Sequence, residues 1–144
     1  MKKLYLACLA ALLLSACELE VSENGDFDGL WQLTALDSVG TGSSVDMRTS
    51  GEFWAVQMRL LEVRNSRGQH RNQYFRFTLA DGWLTLRTPN LDENGMTDDS
   101  TKIDVSSLRR YGISRVDERF HVLTLTGSTM VLQNEAVKLS FRKY

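Results

Sequence analysis

The sequence predicts an all-β domain: an antiparallel up-and-down β-barrel of seven or eight strands, with one short helical turn near residues 105–111. Three observations lead there. From Leu30 onward, apolar side chains recur with a period of two rather than 3.6, the mark of strands with one buried face. The runs are joined by short turns, so neighbours pair antiparallel as a meander. A meander on about 115 residues removes its unpaired edges most economically by closing on itself.

The elements follow in order. Leu30, Gln32, Thr34 and Leu36 alternate with Trp31, Leu33 and Ala35. Phe53 to Arg64 reads as one run, with Trp54, Val56, Met58 and Leu60 on a shared face and apolar residues on both faces near Leu60-Leu61. Tyr74 to Ala80 sets Phe75, Phe77 and Leu79 against Tyr74, Arg76 and Thr78. Asp81-Gly82 is a two-residue hairpin signal, because both positions tolerate positive φ, and Trp83 to Thr88 follows it. The lone proline, Pro89, stands just past that strand, where a missing donor does no harm. Arg119 to Thr126, Thr129 to Asn134 and Val137 to Lys143 complete the meander through turns at Gly127-Ser128 and Asn134-Glu135-Ala136. Asp104 to Gly112 breaks the pattern with a capping residue at its start and a glycine at its end, a single helical turn whose Leu108, with Ile113, is expected to plug one end of the barrel. Ser38 to Glu52 and Pro89 to Lys102 read as long loops.

The N-terminus carries an address. Lys2 and Lys3 precede an apolar stretch from Leu4 to Leu13, which is followed by Leu14-Ser15-Ala16-Cys17. A charged start, an apolar middle and small residues at the cut are the layout of a secretory signal peptide, and the stretch is too short to span a bilayer, which takes roughly 20 residues. The ending resembles the lipobox of bacterial lipoproteins. That resemblance implies a signal over residues 1–16, cleavage before Cys17, and acyl chains such as palmitate on Cys17. Each buried CH₂ contributes roughly 0.8 kcal/mol, so several chains hold a protein on a membrane. Residues 17–28, with Glu18, Glu20, Glu23, Asp26 and Asp28, read as an acidic tether, and residues 29–144 as the barrel. The expected location is the cell envelope, lipid-anchored to the outer membrane on its periplasmic or surface face. Without Lys2 and Lys3 the balance is 15 basic to 18 acidic residues, which leaves no basic footprint for nucleic acid. Cys8 leaves with the signal, so Cys17 stands alone and intrachain disulfides and cysteine metal sites are excluded.

The barrel itself carries a second likeness. Gly29-Leu30-Trp31 matches the Gly-x-Trp signature of lipocalins. Phe53-Trp54-Ala55-Val56-Gln57, Tyr74-Phe75-Arg76-Phe77, Leu108 to Ile113, Met130-Val131-Leu132 and Leu139 to Tyr144 extend it over nearly all of the chain after Cys17. Together they resemble the lipocalin-like lipoproteins of the Bacteroidetes. The resemblance implies a calycin-type barrel in which Gly29 and Trp31 form the floor and Arg142, from the last strand, packs over the indole. The chain departs from true lipocalins in lacking a clear Thr-Asp-Tyr motif and their disulfides.

Catalytic chemistry is not expected. His70 falls in a polar turn and His121 in a strand, and neither spacing makes them partners. No serine elbow, phosphate loop or metal-binding histidine pair is present. Asn90 to Gly95 resembles half a calcium loop, but the leading Asp is missing and Thr101 stands where a bidentate Glu belongs, so neither metal nor cofactor is expected. Arg59, Arg76 and Arg87 either line the interior or face solvent; the cost of burying unpaired charge favours solvent. Two functions remain open. One is a binding module for a small amphipathic or apolar ligand lined by Trp54, Met58, Phe75, Phe77 and Trp83. The other is a filled barrel that docks an envelope protein without a small ligand, since a barrel of eight strands is just wide enough to pack its own side chains.

Overall fold

The computed structural model describes residues 23–87 and 105–144. Nine strands form one antiparallel sheet: β1 (Gly29–Ser38), β2 (Ser44–Asp46), β3 (Glu52–Gln57), β4 (Leu60–Asn65), β5 (Gln73–Ala80), β6 (Trp83–Arg87), β7 (Arg119–Leu125), β8 (Thr129–Gln133) and β9 (Val137–Lys143). Eight of them close into a barrel, because β1 pairs with β3 on one edge and with β9 on the other. The expected closure is thus present. β2 is a short addition that pairs Leu36 with Val45 on the edge that β3 has left, so Ser38 to Glu52 is partly strand rather than all loop.

The two ends of the barrel are closed differently. At the base, where β1 begins, a 3₁₀ turn (Gly25–Phe27) tucks Phe27 into the core. Trp31 Nε1 donates to the Phe27 carbonyl at 2.7 Å, and Phe77 meets Phe27 edge-on at 5.1 Å. The segment read as tether therefore ends in a packed plug. At the mouth, helix α1 (Val105–Leu108) runs into a 3₁₀ turn (Arg109–Tyr111) and stops at Gly112, whose φ of 80° is left-handed. Leu108, Tyr111 and Ile113 are fully buried there, the plugging role expected of Leu108 and Ile113. Asp104 and the Pro89 to Lys102 segment, with its calcium-like turn, lie outside the described residues.

Alternation places the core. Trp31, Leu33, Trp54, Val56, Leu61, Val63, Phe75, Leu84, Leu86, Phe120, Met130, Leu132, Leu139 and Phe141 point inward as one continuous cluster. Trp54 sits in it against Phe141 at 4.9 Å and Phe120 at 6.0 Å. Arg59, Arg76 and Arg87 face solvent, as the cost of buried charge requires. Among the described residues no helix is long and apolar enough to cross a membrane.

Three sequence expectations are corrected. Phe53 to Arg64 is two strands, not one: Gln57 pairs with Leu60 across a tight turn at Met58-Arg59. Met58 takes a φ of 55° there, and Asn24 Nδ2 bonds its carbonyl at 2.6 Å. The turn resets the alternation, so Leu60 faces out and Leu61 faces in. Trp83 is the outward partner of Leu84, which takes the interior position. Arg142 does not cover Trp31. Trp31 lies opposite Lys143 in the β1–β9 ladder, so Lys143 Nζ stands 4.7 Å from the indole centroid and also donates to the Asp26 carbonyl at 2.8 Å. Arg142 lies opposite Gln32 and donates to its Oε1 at 2.7 Å on the outer face. Gly29 holds a φ of 122°, and a Cβ there would press on Lys143 Cε at 3.4 Å.

Candidate functional site

The five residues expected to line a ligand cavity separate in the fold. Trp54 and Phe75 are fully buried in the core. Phe77 is half-buried against the base plug. Met58 is 63% exposed at its turn, and Trp83 is 37% exposed on the outer wall. Neither Met58 nor Trp83 lines the interior. Trp83 instead carries Arg119 over its ring at 4.1 Å and packs against His121 at 5.0 Å, in an open groove of about 540 Å³ that also involves Arg115 and Leu123. His70, by contrast, lies in the turn before β5, far along the chain from that groove.

What the fold brings together is a polar cluster under the cap at the mouth. Glu52 and Trp54 both point inward because they are two residues apart on β3. Glu52 is 3% exposed. Its Oε1 accepts from Asn65 Nδ2 at 3.1 Å, across the β3–β4 ladder, and lies 3.7 Å from Arg110 on the cap. Tyr111 follows on the same 3₁₀ turn and is fully buried. Gln73, at the start of β5, ties the cap down by bonding Ser107 Oγ.

Several atoms of this cluster lack a hydrogen-bond partner among the described residues: Glu52 Oε2, the Tyr111 hydroxyl, Trp54 Nε1 and Arg110 Nε. Buried polar groups are rarely left so, because each carries a desolvation cost of about 1–3 kcal/mol. These atoms, on the start of β3 and on the cap above it, leave hydrogen-bonding capacity unfilled inside the fold. The Tyr111 hydroxyl is pushed up to about 12, first by burial and then by the charge of Glu52, against the opposing pull of Arg110. It is therefore a neutral donor and acceptor at physiological pH, not a nucleophile.

The raised value has a consequence for stability. The folded chain holds the phenolic proton more tightly than the unfolded chain, whose tyrosine titrates near 10. Ionising Tyr111 is thus penalised in the folded chain: stability is unaffected below pH ~10 and falls as pH climbs toward 12. Urea midpoints are expected to fall across that window in the wild type and to fall less in Tyr111→Phe. At pH 7 the same variant is expected to cost almost nothing, because the hydroxyl it removes has no partner to lose. Equal alkaline slopes for the two proteins would refute the assignment.

Sequence reasoning missed Glu52, Arg110 and Tyr111 as a group. Glu52 was legible in principle: extending the Trp54–Val56 alternation back one step puts it inside. Among the described residues no group of three His, Cys, Asp or Glu side chains is placed to hold a metal ion.

The architecture defines a class: a closed eight-stranded antiparallel barrel, floored by a tryptophan and plug at one end and capped by a short helix over polar atoms at the other. The chain belongs to the lipocalin-like domain family, whose match runs over residues 12–144. A lipocalin-like protein from Bacteroides uniformis has the same fold, with a TM-score of 0.62 at 22% identity, over 83% of this chain and 100% of that one. An uncharacterized protein from Bacteroides eggerthii superposes with a TM-score of 0.59 at 25% identity, over 81% of this chain and 98% of that one. No curated protein matches the chain. A lipocalin-like fold suggests a barrel that binds small ligands.

Proposed function

We propose that this protein is a lipid-anchored, non-catalytic binding module of the outer membrane that holds a small amphipathic ligand at the capped mouth of its barrel. The orphaned polar atoms of Glu52, Trp54 and Tyr111 beneath the cap carry this reading. They supply directional contacts for a head group, while Leu108, Ile113 and the upper core supply apolar surface. The anchor rests on Cys17 and the signal-like segment before it. The outer-membrane location rests on Glu18, which stands where some retained lipoproteins carry aspartate.

A second reading, a filled barrel that docks an envelope partner, is favoured by the density of inward aromatic side chains at Trp31, Trp54, Phe75, Phe120 and Phe141. Native mass spectrometry separates the two. The chain from residue 17 onward, carrying Cys17→Ala, is purified from its own host's envelope extract. A mass excess that disappears on denaturation is the expected result. A clean apo mass would reject the ligand reading and direct cross-linking toward a protein partner.

A further inference from the structure

The strands β5, β6 and β7 are odd in composition. The chain holds 18 acidic residues, yet these three strands contain no Asp, Glu or Lys, and the side chains they charge at pH 7 are Arg76, Arg87 and Arg119. We propose that the outer wall of β5, β6 and β7 is a docking surface for an extended acidic segment of a partner protein. That segment sets its carboxylates on the three arginines and one apolar side chain in the groove beside Trp83. The surface is separate from the capped mouth, so the proposal holds whether or not the barrel keeps a ligand.

Register builds the surface. Arg76 lies directly opposite Arg87 in the β5–β6 ladder, and Arg119 lies opposite Thr85, one outward position along β6 from Arg87. Two arginines facing each other across a ladder repel, so the sheet keeps this pair at a cost in stability. Nothing among the described residues relieves it, because no ion pair reaches Arg76, Arg87 or Arg119. Acids stand only at the margins. Glu62 is engaged by Arg64 on β4, Glu135 lies at the far rim of the groove, and Asp81 and Asp117 fall just outside the three strands. On a domain whose overall balance is acidic, this local excess of cations is complementary to an anion from outside.

The rest of the wall favours a protein over other anions. Four of the nine exposed large apolar side chains among the described residues, Leu60, Tyr74, Trp83 and Leu123, lie on the neighbouring strands β4 to β7. Arginine and aromatic side chains together, with Lys, Glu and Asp scarce, are the composition of protein interfaces. Arg119 stands 4.1 Å over the Trp83 ring, and a guanidinium held there keeps N–H groups for a bidentate carboxylate. Beside it the groove of about 540 Å³, lined in part by Trp83 and Leu123, is concave. It accepts a protruding apolar side chain, which neither a flat bilayer nor a charged glycan presents. Three strands about 4.8 Å apart make a face roughly 10–15 Å across, the breadth of one extended segment rather than of a folded domain.

Three synthetic peptides of equal length make the test. The first is Glu-Asp-Glu-Leu-Asp-Phe-Glu-Asp, the second replaces its acids by Gln and Asn, and the third keeps the acids but replaces Leu and Phe by Ser. Each is titrated at low salt into the chain from residue 17 onward carrying Cys17→Ala. Binding is followed through the Trp83 indole N–H resonance, identified with Trp83→Phe. The first peptide is expected to shift that resonance and to bind at least ~10-fold tighter than either of the others. High salt is expected to weaken it. The double variant Arg76→Gln with Arg87→Gln is expected to lower its affinity by at least ~10-fold, whereas Arg48→Gln, whose side chain pairs with Asp46 away from the wall, leaves it unchanged. Arg76 and Arg87 are both exposed, so the double variant leaves the core untouched. Binding of the second peptide as tight as the first, or an unchanged affinity in the double variant, would overturn the proposal. So would the absence of any binding by the first peptide. Equal binding of the third would reduce the surface to bare charge and overturn the role of the groove. Phosphatidylglycerol vesicles that broaden the Trp83 resonance where the first peptide leaves it in place would assign the wall to an anionic bilayer instead. A dimer in sedimentation that the double variant dissociates would assign it to a second copy of the chain.

Discussion

Gly112→Ala is expected to destabilise the domain by about 2–5 kcal/mol. Two costs add at that position. The backbone sits at φ 80° and ψ 13°, the left-handed region, where an L-residue is disfavoured by roughly 1–2 kcal/mol. The added Cβ would also fall 2.3 Å from Leu139 Cδ2 and 2.6 Å from its Cδ1. Leu139 cannot retreat easily, because it is fully buried and lies opposite Leu132 in the β8–β9 ladder. Overpacking of this kind costs about 1–3 kcal/mol. Pairing the change with Leu139→Ala separates the two terms. Relative to Leu139→Ala alone, adding Gly112→Ala should then cost only the backbone part, and the difference is the coupling energy of the clash. Urea denaturation of the four proteins reads all of this. Additive losses would show that the glycine matters for its φ alone.

Glu118→Ala is expected to cost about 3–5 kcal/mol, because its fully buried carboxylate accepts several partly buried hydrogen bonds rather than one. Glu118 Oε2 accepts from the Ser114 amide at 3.1 Å and the Ser114 hydroxyl at 2.8 Å. Its Oε1 accepts from Asn134 Nδ2 at 3.1 Å and from Arg115 at 3.5 Å. One carboxylate thus ties the segment leaving the cap to the turn between β8 and β9, while its own carbonyl accepts from Leu86 of β6 at 2.7 Å. With urea slopes of about 1–3 kcal/mol per molar, the midpoint should drop by at least ~1 M. Hydrogen exchange over residues 105–113 should also quicken, since the cap loses its downstream mooring. A midpoint within ~0.3 M of the wild type would show that the donors find water instead.

Much of the barrel was readable because its strands obey a local rule. Phe75 and Arg76 segregate by parity alone, Asp81-Gly82 adopts the two positive φ values its turn needs, and Gly112 ends the helix as a glycine stop should. The misreadings share a cause: each depends on something that parity cannot carry. The Met58-Arg59 turn has no glycine or asparagine to announce it, and it is steadied by Asn24, more than thirty residues upstream. Whether Arg142 or Lys143 covers Trp31 is a matter of β1–β9 register, which pairs opposite ends of the chain and includes an irregularity between Leu33 and Ala35. Trp83 looked like a core residue for its size, yet it stands out of phase with Leu84 and Leu86. The polar cluster was hidden for a different reason. Glu52, Arg110 and Tyr111 come from two segments nearly sixty residues apart, and nothing local in either segment announces the other.

The base plug has a geometric corollary. The Tyr144 amide donates to the Leu30 carbonyl, and Lys143 reaches the Asp26 carbonyl, so the two ends of the folded domain share one pole. Cys17 stands six residues before Glu23, a stretch of at most ~20 Å when fully extended. An acyl group on that cysteine would hold the barrel by the pole opposite the cap. The molecule would then stand on the bilayer like a cup on its foot, with its rim turned to the aqueous phase.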